Sequence, residues 1–294
     1  MPPRLSVIIV SYNAEGVIGR CLDSLRAQKT AEPFEIIVVD SSADGAARLV
    51  ESEYPEVTLI TFPERKFPGA ARNAGLATAH GEVVAFIDAD CTADVHWVDA
   101  ILEAHRTPHA AIGGAIANDG RGLVTWAAYF CEFSEWMPGG RARWLSDMAA
   151  ANISYKRPIL DEYRPLIEGT YCSDSELHWR MARDGHRIWF DPSVLICHHS
   201  IGRLGAFLRH TFAHGQSFAR VRVGGQRFSA GRRAVYAGLC WLIPLVLTAR
   251  QLRRHARNRA CLGAFLKSLP LVIAGLFAWG IGEGVGYVKG ARGQ

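Results

Sequence analysis

Over the first hundred residues, short unbroken apolar runs alternate with segments whose apolar positions recur at helical spacing. "RLSVIIVSYN" (4–13) predicts a buried strand with a polar end, and "AEGVIGRCLDSLRAQ" (14–28) puts Val17, Ile18, Cys21, Leu22 and Leu25 on one helical face. The pattern then repeats. "FEIIVVDSS" (34–42) is a second strand ending at Asp40, "ADGAARLVESEY" (43–54) a helix, "VTLITFP" (57–63) a third strand, and "GAARNAGLATAHG" (69–81) an Ala-rich helix closing at Gly81. "EVVAFIDAD" (82–90) is a fourth strand ending at two acids, and "ADVHWVDAILEAHR" (93–106) a further amphipathic helix. Runs of Val, Ile and Phe without alternation read as strands buried on both faces. Strand–helix alternation implies a parallel sheet with helices on both sides, and ligands bind such sheets beyond the carboxyl ends of the strands. Ser11-Tyr12-Asn13, Asp40-Ser41-Ser42 and Asp88-Ala89-Asp90 are therefore expected to converge on one rim.

Past residue 110 the periodicity loosens. "AAIGGAIAN" (110–118) reads as a strand and the aromatic-rich "LVTWAAYFCEFSEW" (123–136) as a helix, while "MAAANISYKR" (148–157) is expected to pair with the sheet. "CSDSELHWRMARDGHRIWFDP" (172–192) predicts a helix from about Asp174 to Arg183, stopped at Gly185, then a short strand. Residues 203–233 form an Arg-rich amphipathic stretch, followed by two apolar blocks, 234–249 and 268–288, on either side of "RQLRRHARNR". The expected division is a catalytic domain at 1–200, a basic interfacial region at 201–233 and a hydrophobic helical hairpin at 234–294.

Charge sharpens that division. Residues 1–199 hold 18 Lys/Arg against 27 Asp/Glu, whereas residues 200–294 hold 15 against one. A basic third interleaved with long apolar blocks points to a membrane surface carrying anionic lipid. Apolar blocks of that length are foreign to a soluble nucleic-acid binder, so no nucleic-acid partner is expected. A spanning helix needs about 20 apolar residues. The first block has 16 residues, the second reaches that length only by including Glu283, and two spans would place the Arg-rich connector outside. A re-entrant or interfacial hairpin is expected ahead of a two-span hairpin or a soluble helical subdomain. Seven scattered cysteines without a C-x-x-C pair fit a reducing compartment, and the apolar start is too short for a signal peptide. The expectation is a membrane-bound chain with its catalytic part in the cytoplasm.

Asp88 and Asp90 would repel one another at a buried strand end unless a cation or donor group sat between them. Paired carboxylates suit Mg²⁺ or Mn²⁺, which commonly share their shell with substrate phosphates. Arg72, near the start of its helix, is either a second positive group beside such phosphates or a surface salt-bridge partner. There is no G-x-x-x-x-G-K-[ST] and no G-x-G-x-x-G. His198 and His199 in "CHHS" are not separable by sequence, and either is a ligand or a structural histidine. His210 and His214 stand at i, i+4 without a neighbouring acid in the sequence and are expected as helix-surface residues.

"VIIVSYN", "EIIVVDSSADGA", "GAARNAGLATAHGEVVAFIDAD", "AAANISYKR", "CSDSELHWRMARDGHRIWFDP" and "ICHHS", in that order over residues 4–200, resemble the family 2 glycosyltransferases. The resemblance implies the GT-A fold, a Rossmann-like α/β architecture with a mixed, mainly parallel sheet flanked by helices. It implies a nucleotide-diphosphate sugar donor, UDP-linked ahead of GDP- or dTDP-linked, and a divalent cation. By the same resemblance Tyr12, Asn13 and Asp40 contact the nucleotide, Arg72 lies beside the donor, Asp88 near ribose or metal, and Asp90 is the principal metal ligand, with His198 a further one. Asp174 occupies the place of the catalytic base of an inverting transfer, although read alone it would cap the following helix. Ser173 stands where the family usually has Glu. No Q-x-x-R-W is found, so a single transfer to a lipid-linked or glycan acceptor is expected rather than processive synthesis. The rival expectations are a nucleotidyltransferase on a similar sheet and an inactive membrane scaffold.

Overall fold

The computed structural model describes residues 2–290. Two compact units are distinguished, residues 2–117 with 140–198, and residues 118–139 with 199–290. The segment 118–139, which the sequence division keeps inside 1–200, thus groups with the C-terminal helices.

In the first unit β1 (Leu5–Ser11) is the centre of a parallel array, followed by α1 (Ile18–Arg26), β2 (Phe34–Asp40), α2 (Ala46–Glu53), β3 (Thr58–Thr61), α3 (Pro68–Thr78) and β4 (Val83–Asp88). β1 is flanked by β2 and β4, with β3 outside β2, all in parallel. Leu5, Val7, Ile8 and Ile9 are fully buried, as a strand covered on both faces requires. Each such side chain contributes about 1.5–3 kcal/mol of transfer free energy. The chain continues through β5 (Cys91–Ala93), α4 (Trp97–Ala104) and β6 (Ala111–Asn118), crosses α5 (Leu123–Phe133) of the second unit, and returns as β7 (Arg143–Leu145), β8 (Asn152–Lys156), α6 (Arg157–Glu162), α7 (Ser173–Arg183) and β9 (Ile188–His198). Among the described residues nine strands form one sheet in the order β3-β2-β1-β4-β8-β6-β9-β5, with β7 paired to β9. The half containing β1 is parallel. β8 runs antiparallel to β4 and β6, and β9 antiparallel to β5 and β7.

Asn152 fastens the antiparallel half. Fully buried, it donates from Nδ2 to the Ala115 and Val194 carbonyls and accepts from Trp97 Nε1, each at 2.9 Å. All three bonds tie its amide to neighbouring strands or α4, so the "AAANISYKR" segment is fixed by hydrogen bonding as well as packing.

The second unit comprises α5, α8 (Leu204–Gly225), α9 (Ala230–Gly238), α10 (Ile243–Arg257) and α11 (Leu262–Lys289). α8 and α11 approach closely because their contact is lined by glycine. A Cβ on Gly282 would lie 2.2 Å from the Phe212 carbonyl oxygen, and one on Gly286 would lie 2.5 Å from that of Gln216. Small residues at a helix contact are common in membrane bundles. Glu283 is buried there, where it accepts hydrogen bonds from Trp279 Nε1 and Tyr287 Oη. Its carboxylate is therefore paired, which lowers the cost that the sequence reading assigned to it. The two apolar blocks pack against one another as the two arms of the expected hairpin. The first is broken between α9 and α10, and α9 with the following helical stretch bends by 42°. The "RQLRRHAR" connector continues α10 as helix. Among the described residues α11 is the one unbroken helix long and apolar enough to cross a membrane, and the bent pair of α9 with residues 240–257 passes the same test if taken together. Among the described residues, ten of the fifteen exposed large hydrophobic side chains lie between Val235 and Val288.

Candidate active site

β1 and β2 end in register, Ser11 beside Asp40, and β4 flanks β1 on its other side with Asp88 beside Val10. Two of the three expected strand ends thus border the first on either side, where an open parallel sheet leaves a crevice. Asp40 is buried and held by three donors: Ser11 Oγ at 2.5 Å, Ser42 Oγ at 2.6 Å and the Ser42 backbone N–H at 3.1 Å. Its orientation is fixed before any ligand arrives. The chain leaves β1 through exposed Tyr12 and through Asn13, whose φ of 53° lies in the left-handed region that Asn tolerates.

Arg65 covers Tyr12, its guanidinium carbon 4.2 Å from the ring centre, and donates to Tyr171 Oη at 2.6 Å. Phe67 meets the Tyr171 ring edge-on at 5.3 Å. This aromatic and cationic wall was missed in the sequence. Arg65 and Tyr171 each border a recognised motif, but their meeting across more than a hundred residues has no local signal.

Arg72 lies on the buried side of α3, with Nη2 3.4 Å from Asp88 Oδ1 and its guanidinium carbon 5.3 Å from the Phe86 ring centre. Its Nε is buried without a hydrogen-bond partner. Of the two sequence readings, the surface salt bridge is excluded by this burial. Burial raises the Asp88 carboxyl above the usual range, the negative charges of Asp90 and Asp174 add to this, and Arg72 and His198 oppose it. Asp90, Asp174, Arg72 and His198 thus all lie close enough to Asp88 to act on its charge.

β5 supplies the remaining link. Its Cys91 pairs with His198 of β9, which brings the buried imidazole Nε2 to 3.3 Å from Asp90 Oδ1. His199 pairs instead with Asp119 at 3.0 Å, so the backbone register distinguishes two histidines that the sequence did not. Asp90, Cys91 and His198 bring one donor atom each within 4.8 Å of one another. Burial, reinforced by Asp90 and Asp88, pushes the Cys91 thiol well up. A carboxylate oxygen and one imidazole fit a divalent cation such as Mn²⁺ or Mg²⁺.

Asp174 is the second residue of α7 and so is not its cap; that place belongs to Cys172, at φ 62°, with no side-chain capping bond. The Asp174 carboxylate accepts the backbone N–H groups of Ala150 and Ser175, both at 3.0 Å. α7 itself is locked by a chain of polar groups that runs from buried Tyr155 and His178 to partly exposed Asp147. Tyr155 Oη lies 2.6 Å from His178 Nε2, and His178 Nδ1 lies 2.7 Å from Asp147, which also accepts from Ser175 Oγ. One arrangement satisfies them all, with Tyr155 donating to Nε2 and Nδ1–H donating to Asp147. Ser173 is fully buried and its hydroxyl has no partner. It packs near Gly69 at the start of α3, where a Cβ would lie 1.9 Å from the Ile167 carbonyl oxygen and 3.0 Å from Ser173 Cβ. The glycine of "PGAARNAG" is thus required by the close approach of the segment that carries Asp174.

Comparison with known proteins fits this arrangement. The chain is 28% identical over 298 residues to a pre-mycofactocin glycosyltransferase of Mycobacterium tuberculosis, covering 92% of this chain and 61% of that one. It is 25% identical to glycosyltransferase AglE of Haloferax volcanii, over 82% of this chain and 80% of the relative. The putative glycosyltransferase EpsH of Bacillus subtilis is 30% identical, over 74% and 59% respectively. The chain therefore spans about three fifths of the M. tuberculosis relative's length. Among solved structures, a mannosyltransferase of Pyrobaculum calidifontis in complex with GDP-Man and Mn²⁺ superposes with a TM-score of 0.64 at 19% identity, covering 96% of this chain and 87% of that one. Staphylococcus aureus TarS 1–349 in complex with UDP-GlcNAc does so with a TM-score of 0.56 at 16% identity, covering 94% and 91%. At those identities the likeness is one of fold. The model of glycosyl transferase family 2 matches residues 6–163. With the family pattern running from Ser6 to Tyr163, more than half of its length, this chain belongs to glycosyl transferase family 2.

Proposed function

We propose that the protein is a metal-dependent, inverting glycosyltransferase that moves a sugar from a nucleotide-diphosphate donor to a lipid-linked or glycan acceptor at a membrane surface. One observation carries the reading: at the end of β4 Arg72 Nη2 lies 3.4 Å from Asp88 Oδ1 and His198 Nε2 lies 3.3 Å from Asp90 Oδ1, with Asp174 near enough to act on Asp88. Asp40, with Tyr12 and Asn13, binds the nucleoside, Asp40 through its fixed carboxylate. Asp90 and His198 hold the cation, and Asp88 lies toward it or the ribose. The cation, when bound, neutralises the diphosphate as it departs. Arg72 adds a fixed positive charge that costs no reorganisation during reaction. Asp174 takes the proton of the acceptor hydroxyl; its oxygen attacks the anomeric carbon opposite the diphosphate, and the electron pair of the broken bond leaves with the diphosphate.

The second unit supports the choice of acceptor. Its exposed apolar side chains and its 15 Lys/Arg against one Asp/Glu over residues 200–294 suit an anionic bilayer surface. An enzyme held there meets lipid-linked acceptors at high local concentration. The free cysteines agree with a catalytic unit on the reducing, cytoplasmic side.

The test is release of nucleoside diphosphate from a panel of nucleotide sugars, UDP-sugars first, against polyprenyl-diphosphate sugars in mixed micelles, with and without Mn²⁺. Release that needs both cation and acceptor is expected. Turnover that survives exhaustive chelation overturns the metal-dependent reading, and no release from any donor overturns the transfer itself.

A further inference from the structure

The second unit contains a group of side chains that the transfer reaction does not use. His210 and His214 lie one turn apart on α8, with ring centres 4.5 Å apart and planes inclined by 31°. The sequence shows no acid beside them, but Glu132 of α5 faces them, its Oε1 2.6 Å from His210 Nε2. The acid is 78 positions away in the chain and comes into place only through the packing of α5 beside α8. One donor atom from each of Glu132, His210 and His214 lies within 4.8 Å of the other two.

We propose that Glu132, His210 and His214 bind a transition-metal ion of the Zn²⁺ class, clamping α5 to α8. Two imidazoles and one carboxylate are an established donor set for Zn²⁺, with water in the fourth position. Ligands about 2.1 Å from a tetrahedral ion stand about 3.4 Å apart. The present spacing needs an adjustment of about an ångström by side chains that are partly exposed, His210 at 32% and Glu132 at 17%. At 2.6 Å, His210 and Glu132 are joined by a hydrogen bond; the ion would replace that proton and part the two atoms. His214 also contacts the Trp279 ring at 6.4 Å, and Phe218 lies 5.8 Å from the same indole, giving the histidines an aromatic backing.

The surroundings select the ion. Residues 200–294 carry a single acid, Glu283, and the other described acids of this unit are Asp119, Glu132 and Glu135. Asp119 pairs with His199 and Glu135 with Arg254. A weakly held hard cation has few carboxylates to draw it here, whereas imidazole nitrogen favours zinc, cobalt or nickel. The site therefore differs in preference from Asp90 and His198, and the proposal stands whether or not the transfer mechanism is right.

The experiment uses the full chain in detergent, stripped with a chelator and titrated with Co²⁺ as a spectroscopic substitute for Zn²⁺. Wild type should develop the intense visible bands of low-coordinate Co²⁺ at one equivalent, and Zn²⁺ should bleach them. His214→Gln and Glu132→Gln, checked for metal-free melting temperatures within a few degrees of wild type, should weaken Zn²⁺ binding by at least roughly tenfold, as loss of even an outer-shell partner does. Asp90→Asn should leave the bands intact. Bands that persist in both variants, or that vanish in Asp90→Asn, overturn the assignment. So does a wild type that shows no bands.

Discussion

Replacing Asp174 by Asn removes the basic group while keeping shape and one acceptor oxygen. The carboxylate now accepts two backbone N–H groups, of Ala150 and Ser175, and an amide can retain only one of them. The stability cost is that of about one hydrogen bond, roughly 0.5–1.5 kcal/mol, or a few degrees in melting temperature. The effect on turnover is expected to be much larger, because positioned general-base catalysis is worth about 10²–10⁴ in rate, equivalent to about 2.7–5.5 kcal/mol in the barrier. The assay is nucleoside diphosphate release from the donor and acceptor pair that wild type turns over. It is paired with calorimetric binding of the same donor in Mn²⁺. Turnover should fall by two to four orders of magnitude with donor affinity within about threefold of wild type. A variant that retains a tenth of wild-type turnover refutes Asp174 as base. Loss of donor binding in step with turnover would make it a donor contact instead.

Other perturbations separate positioning from chemistry. Arg72→Met leaves Asp88 beside Asp90 without its guanidinium; kcat should drop by about 10²–10³, the cost of losing one preorganised charge partner, and Arg72→Lys should recover only part of this because it lacks the planar fork. Gly69→Ala drives a methyl against the Ile167 carbonyl and displaces the segment leading to Asp174. Turnover should fall about 10²-fold, as for a misplacement near 1 Å, and a variant with unchanged kcat would show that the approach is not needed. His105 is buried against Ser154 Oγ at 2.9 Å, and burial, with Lys156 nearby, pushes its pKa down to about 3. Its unfolded value is near 6.5, so the unfolded chain binds the extra proton between those limits. The stability His105 contributes is complete above pH 6.5 and is lost as pH falls toward 3. Between pH 6.5 and 5 the loss is about 2 kcal/mol. Thermal unfolding across that interval should show a steeper decline for wild type than for His105→Gln, and equal slopes would contradict the assignment.

The parallel half of the fold was legible because its strands are unbroken apolar runs and its helices have clear apolar faces. Asp40 and Asp88 stood out for the same reason: each ends a run that otherwise admits no charge. The antiparallel half was not legible to the same degree. β7 is three residues long, and β5 is hidden inside "CTA" directly after the acids, so nothing local announced the pairing that carries His198 to Asp90. Arg65 with Tyr171 and Glu132 with His210 fail for a common reason, since each pair is made by tertiary packing between segments far apart in the chain. The C-terminal apolar blocks were legible in composition, but the break between α9 and α10 was not. Pro244 sits in the first turn of α10, where its missing N–H is harmless, so it opens a helix there instead of interrupting one.

The central claim is that carboxylates at the strand ends hold the donor through a divalent cation, and calorimetry tests it most directly. Titration of UDP into wild type and Asp90→Asn, each with Mn²⁺ and with chelator, is the measurement. Wild type should bind only with Mn²⁺, and Asp90→Asn should lose that binding while keeping the wild-type fold by circular dichroism. Equal affinity in the presence and absence of the cation, or an Asp90→Asn variant that binds as wild type does, would contradict the account.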